Sequence, residues 1–207
     1  HEIGDLLVSD ERVRMISFTG GVEAGKRIAK LAGIKKIGME LGSNSPVIVW
    51  KDADIDLAVE SCVSGAFWAA GQNCIGVQRL LVHKDIYDEF KTKFVASTKK
   101  YKIGDKLKDD TNMGPMITEA EAIRVEKWVN EAREKGATVL TGGKRKGALF
   151  EPTVLENVPK NITIHCEEVF GPTVNLYPID DLDEAIKEAN SLPYGLLAAI
   201  FTSNVDV

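Results

Sequence analysis

The sequence is poor in cysteine and histidine, with three of each in 207 residues. Cys62, Cys74 and Cys166 are odd in number and widely spaced, which argues against a disulfide framework and for a reducing compartment. No closely spaced Cys/His cluster offers the ligand spacing of a structural zinc site, so no metal is expected. Long apolar runs are also lacking. None approaches the roughly 20 residues of a membrane helix, and the start has neither the charged nor the apolar region of an export signal. The expectation is a soluble, cytoplasmic chain with no membrane partner. Neither sign of charge dominates: 26 basic residues are interspersed with 31 acidic ones, which argues against a nucleic-acid partner.

What is present is an apolar content of 44%, enough for one substantial core or for one full domain plus part of another. Short β-branched runs alternate with amphipathic stretches of helical length, so the expected fold class is α/β with a mostly parallel sheet and flanking helices. Strands are predicted at Arg14 to Thr19, Lys35 to Leu41, Pro46 to Trp50, Gln78 to His83, Thr138 to Leu140, Phe150 to Val154, Val174 to Ile179 and Leu196 to Thr202. Helices are predicted at Val22 to Leu31, stopped by Gly33, and at Ile55 to Ala70, Asp85 to Lys100, Glu119 to Lys135 and Leu182 to Asn190. The small residues Ala58, Ser61, Ser64, Gly65, Ala66 and Ala69 mark the second of these as buried. The first residue is His1 rather than Met, and Asn204-Val205-Asp206 reads as the start of a further helix, so both ends read as truncated.

Three segments carry chemistry. In Gly71-Gln72-Asn73-Cys74, a thiol lies in a loop after a helix and before a strand. Taken alone, a single cysteine is more often a small buried hydrophobe; as a nucleophile it needs surroundings that favour the thiolate. In Met39-Glu40-Leu41-Gly42, a carboxylate ends an apolar strand before a glycine turn, where partial burial would tune it toward a general base. A strand-end glutamate paired with a lysine is the plainer reading. In Glu167-Glu168-Val169-Phe170-Gly171-Pro172, adjacent acids precede an aromatic and a turn. They read either as solvated surface acids or as a carboxylate that accepts hydrogen bonds from ribose hydroxyls.

Together these segments resemble one family, the aldehyde dehydrogenases. The matching pieces are Ser17 to Gly21, Met39 to Gly42, Gly71 to Cys74 with Arg79 after it, Gly114-Pro115-Met116, Glu167 to Pro172 and Pro193 to Leu196, spread over essentially the whole chain.

The resemblance implies an NAD(P)-dependent oxidation of an aldehyde to an acid through a cysteine thiohemiacetal and thioester. It implies Cys74 as nucleophile, with its backbone N–H in the oxyanion hole, and Glu40 as the base that activates water. It implies that Glu168 binds the nicotinamide ribose, that Phe170 packs on the cofactor, and that Leu41 and Gly42 lie near the nicotinamide. Thr19 and Gly20 match a turn near the nicotinamide and pyrophosphate, and Gly21 and Gly25 fall close to the phosphates. The oxyanion hole's asparagine belongs to a segment upstream of His1, and Asn73 is not its counterpart. Two departures stand out: many relatives have serine where this chain has Gly21, and Gly-Lys where it has Ser43-Asn44.

By the same resemblance, residues 1 to about 40 are the C-terminal remnant of the NAD(P)-binding domain, and 41 to 207 are a catalytic domain truncated at its C-terminus. The isolated chain is then expected not to retain cofactor and to be inactive as a dehydrogenase, the full-length protein being a homodimer or homotetramer. A cofactor-independent thiol esterase and a catalytically silent assembly module are the competing readings. Cys62 and Cys166 are expected to be structural, and His83 and His165 are assigned no role.

Overall fold

The structure, a computed structural model, describes residues 3–207. The chain divides into two compact units, one ending at Gly42 and one beginning at Ser43.

The first unit holds α1 (Gly4–Ser9), β1 (Met15–Thr19), α2 (Val22–Ala32) and β2 (Lys36–Glu40). β1 and β2 pair in parallel, Met15 opposite Lys36 and Thr19 opposite Glu40. α2 ends where expected: its cap, Gly33, has φ of 61°, a left-handed conformation glycine reaches without a Cβ penalty. α1 was not anticipated; it has no buried residue to give it an apolar period. Arg27 of α2 pairs with Asp5 of α1, and Lys35 Nζ donates to the Val8 carbonyl at 2.6 Å.

The second unit contains β3 (Ser45–Val49), α3 (Ile55–Phe67), β4 (Val77–His83), α4 (Lys84–Lys99), α5 (Glu119–Glu134), β5 (Thr138–Thr141), β6 (Arg145–Lys146), β7 (Leu149–Phe150), β8 (Thr153–Glu156), α6 (Thr163–Cys166), β9 (Thr173–Ile179), α7 (Leu182–Ala189) and β10 (Ala199–Phe201). Six strands form one sheet in the order β10-β3-β4-β9-β8-β5, parallel throughout except for the β5–β8 pair. The α/β class and the mostly parallel sheet are as the alternating pattern indicated. β3, β4 and β9 are buried along nearly their whole length, as central parallel strands must be when helices cover them.

Helix α3 is capped by Asp54, whose carboxylate accepts from Leu57 N at 3.0 Å. It buries Ala58, Val59, Cys62, Val63, Ala66 and Phe67, the i, i+3, i+4 spacing of one helical face. The small residues expected to be buried divide: Ala58 and Ala66 are buried, while Ser61 and Ser64 fall on the opposite, exposed face and Ala69 is exposed beyond the end of the helix. The helix also stops at Phe67 rather than Ala70. Trp68–Gly71 form a short turn in which Ala69, Ala70 and Gly71 have φ of 52°, 56° and 68°. Against α3, α4 buries Tyr87, Phe90, Phe94 and Thr98, with the Phe90 and Phe94 rings stacked at 5.6 Å and Phe67 6.4 Å from Phe94.

The single strand expected over Phe150 to Val154 is two strands, β7 and β8. Glu151-Pro152 separates them, and β7 turns back on β6 in a small hairpin. α6 was also missed, being a single four-residue turn.

Candidate active site

In the first unit, Thr19, Gly20 and Gly21 run from the end of β1 to the first turn of α2. Gly21 caps that helix without a side-chain hydrogen bond, so the helix presents N–H groups and positive dipole charge at the strand ends. Gly20 N donates to Glu40 O at 3.0 Å, which locks Glu40 beside this turn. The Glu40 side chain is exposed. Gly25 is buried one turn into α2; a Cβ there would lie 2.6 Å from Leu41 Cδ2, so the Leu41 side chain would have to shift to admit one. These residues thus gather at the carboxyl end of two parallel strands, where a helix N-terminus favours phosphate.

In the second unit a pocket is lined by Cys74, Gln78, Ser43, Glu168, Phe170 and Thr173, among others. Its walls are the loops that precede β4 and β9, two neighbouring parallel strands, so the pocket lies at the amino end of the sheet. Glu40 belongs to the first unit and Cys74 to the second.

Cys74 is part-exposed, and among the described residues its backbone N–H makes no hydrogen bond. The loop around it is tied down elsewhere. Gln72 Nε2 donates to Ala69 O at 3.1 Å, and Gln72 Oε1 accepts from Ile117 N at 2.9 Å, joining the loop to the Gly114-Pro115-Met116 segment. Asn73 Nδ2 donates to Trp68 O at 3.4 Å. The carboxyl end of α3, through Ala66, borders the same pocket. That end carries the negative pole of the helix dipole, so α3 offers the thiolate no stabilisation. Cys62, by contrast, is 1% exposed, and burial pushes its thiol up to about 12. Cys166 is part-exposed, its sulfur against Lys160 O, and burial followed by the charge of Glu167 pushes its pKa up.

Glu168 Oε1 accepts from Ser43 N at 2.9 Å. Burial raises its carboxyl above the ordinary value, opposed by that hydrogen bond and by the charge of Arg124. Phe170 is 42% exposed and adopts φ of 46°, an uncommon conformation for a side chain with a Cβ. Gly171 comes against Val125 and Met116, where a Cβ would meet Val125 Cγ2 at 2.6 Å.

The sequence assigned no role to several further residues. Asn44, noted only as part of a departure from the family's pattern, is 1% exposed and makes hydrogen bonds through both ends of its amide. Arg79, noted only as a matching residue, is 1% exposed. It donates to Asn44 Oδ1, Asn44 O, Glu188 O and Ala189 O at 2.9, 3.1, 2.7 and 3.1 Å. Thr173 Oγ1 borders the pocket and has no hydrogen-bond partner among the described residues. His165 is buried, its Nδ1 2.7 Å from Tyr177 Oη and its Nε2 3.6 Å from Glu188; burial lowers its pKa. His83 accepts from Asp85 N at 3.2 Å, capping α4. Among the described residues, no group of three or more His, Cys, Asp or Glu side chains is placed to hold a metal ion, and no helix is long and apolar enough to cross a membrane.

The model of the aldehyde dehydrogenase family matches residues 1–207. The chain belongs to the aldehyde dehydrogenase family. An aldehyde-dehydrogenase-like protein of Sinorhizobium fredii is 52% identical over 206 residues, covering 100% of this chain and 40% of the relative. The crystal structure of an aldehyde dehydrogenase from Physcomitrella patens, in complex with its reaction product succinate, superposes with a TM-score of 0.97 at 46% identity, covering 100% of this chain and 43% of that one. A glyceraldehyde-3-phosphate dehydrogenase from Methanocaldococcus jannaschii, complexed with NADP, gives 0.95 at 43% identity, over 99% of this chain and 44% of that one. This aldehyde dehydrogenase chain therefore spans about two fifths of the length of the relatives it matches.

Proposed function

We propose that this chain carries the nucleophile, the base and part of the cofactor site of an NAD(P)-dependent aldehyde dehydrogenase. The observation that carries the reading is the pocket shared by Cys74, Glu168 and Phe170 in a member of this family. In this reading the Cys74 sulfur attacks the aldehyde carbonyl carbon. The oxygen becomes an oxyanion that the free N–H of Cys74 can meet, a donor needing no reorganisation. Bound NAD(P)+ would accept the hydride that the thiohemiacetal carbon must lose to become an acyl thioester on Cys74. Glu40 takes a proton from water, whose oxygen attacks the thioester carbon; the thiolate leaves and the carboxylic acid is released.

The residues present fit the cofactor. Glu168 spends one lone pair on Ser43 N, and its carboxylate retains acceptor capacity for ribose hydroxyls, while the half-exposed ring of Phe170 offers an apolar face. The turn at Thr19, Gly20 and Gly21, at the start of an 11-residue helix, suits the phosphates, with Gly25, Leu41 and Gly42 beside it. The first unit, residues 1 to about 40, is read as the last strand-helix-strand of the cofactor domain, and 41 to 207 as catalytic domain. The assembled enzyme is read as a cytoplasmic homodimer or homotetramer acting on a small aldehyde.

The test is to mix the 207-residue chain with NAD or NADP and an aldehyde and to follow NADH or NADPH absorbance. Negligible turnover is expected from so small a share of the relatives' length. Selective alkylation of Cys74 is expected at the same time. Robust turnover would show that the chain alone positions the cofactor, and absence of any reaction at Cys74 would remove the nucleophile from the scheme.

A further inference from the structure

We propose that Asn44 and Gln78 are positioning residues for Glu168, a pair of buried amides that set where its carboxylate stands. The inference rests on the reading of Glu168 as the ribose ligand for its functional meaning, but its geometry stands apart from that reading.

The segment Glu167 to Gly171 belongs to no helix or strand, so its peptide groups have no ladder to join. Side chains take that place. Gln78 Nε2 donates to Glu167 O at 2.7 Å, and Gln78 Oε1 accepts from Val169 N at 3.1 Å, so one amide holds the peptide groups on both sides of Glu168. Asn44 Nδ2 donates to the same Glu167 carbonyl at 3.1 Å and to His165 O at 2.9 Å. The next residue but one, Phe170, is in a left-handed conformation that persists only where its surroundings over-determine it.

Arg79 fixes which way the Asn44 amide faces. A guanidinium can only donate, so Asn44 Oδ1 must point to Arg79 Nε at 2.9 Å; carbonyls can only accept, so Nδ2 must point to His165 and Glu167. Arg79 is anchored in turn on Glu188 O and Ala189 O, the carboxyl end of α7, where a cation is favoured. The chain of contacts runs from that helix end through Arg79 and Asn44 to the backbone that carries Glu168. Pinned on both sides, the carboxylate is held half-buried against Ser43 N. The charged and titratable groups around it are Arg124 of α5, Glu167, Tyr194 and Cys74.

The test is the titration of the Glu168 carboxyl by carbon NMR in the 207-residue chain, its resonance assigned by its loss in Glu168→Gln. In the parent chain the midpoint should lie above the ordinary glutamate value of about 4.3. In Asn44→Ala and in Gln78→Met, which keeps the length and removes the amide, the segment loosens toward water and the midpoint should fall back to about that value. Circular dichroism reports whether the fold persists. Folded variants with an unchanged midpoint, or an ordinary midpoint in the parent chain, would overturn the proposal; if Asn44→Ala does not fold, Gln78→Met decides alone. Nicotinamide mononucleotide tests the other reading separately. If the parent chain binds it and Glu168→Gln binds it equally well, the ribose assignment fails while the titration still decides the positioning. If Glu168 does bind it, Gln78→Met should weaken that affinity roughly tenfold, about the effect of one misplaced charge-assisted hydrogen bond.

Discussion

The backbone of Gly71 lies against the carbonyl of Gly171, so closely that a Cβ on Gly71 would come within 2.1 Å of that oxygen. This contact joins the loop that ends at Cys74 to the loop that carries Glu168, and it requires both the missing side chain and the left-handed φ of 68°. Gly71→Ala should therefore cost more than the usual roughly 1 kcal/mol of left-handed strain, because the backbone itself must move. Thermal unfolding should show a fall of several degrees, with loss of Cys74 reactivity at temperatures where the variant is still folded.

Thiol labelling should separate the cysteines. Cys62 is sealed in the core, with its thiol pushed up to about 12, so at pH 8 it should stay unlabelled by iodoacetamide while the chain is folded. Cys74 is part-exposed and lines the pocket, so it should label first. Peptide mass spectrometry reads the order, and labelling of Cys62 ahead of Cys74 would contradict the described burial.

Hydrolysis of an activated ester isolates acyl transfer from the redox step. Cys74→Ala should abolish it. Glu40→Gln should slow release of the acid by about 10²- to 10⁴-fold and let the acyl group accumulate on Cys74 as an added mass. Equal rates of release from parent and Glu40→Gln would remove Glu40 from the base role.

Arg79 is buried with four carbonyl-type acceptors around it. Arg79→Leu should destabilise the chain by about 3–5 kcal/mol, since it strands those acceptors in the interior, while Glu188 keeps Lys160 at 2.6 Å. Urea titration measures this. A change below about 1 kcal/mol would mean that water replaces the guanidinium without cost.

Hydrogen exchange should divide the molecule at Gly42. Among the described residues the first unit buries only Gly25 and Ala32, and it leaves Met15, Ile34 and Ile37 exposed on or beside a two-stranded parallel pair. Such a pair is marginal on its own, so amides of β1 and β2 should exchange far faster than those of β4 and β9. Equal protection in the two units would refute this.

The sheet was legible because its strands are buried on both faces and therefore read as runs such as Val47-Ile48-Val49 and Leu80-Leu81-Val82. Helix α3 was legible at its start, where Asp54 caps it, but not at its end. Alanine favours helix, so nothing in Ala69-Ala70 announces a left-handed turn; the tertiary contact at Gly71 imposes it. Cys74, Glu168 and Phe170 were singled out by motif, and the structure lines one pocket with all three. The amides of Asn44 and Gln78 were not, because a buried amide looks like any surface amide until its partners, some 90 to 125 positions away, are known. Arg79 was legible as a motif residue, but its burial was not, because a long cation is exposed by default.

Strands β4 and β9 leave the pocket side by side in one direction, with Arg79 opposite Asn175. The loops that feed them are therefore entrances rather than connections between paired residues, and outside the Gly71–Gly171 contact and the backbone held by Gln78 and Asn44 their composition can change without a slip in strand register. Loop transplants that keep those ties should leave this core intact, which makes the pocket a place where new specificities can arise.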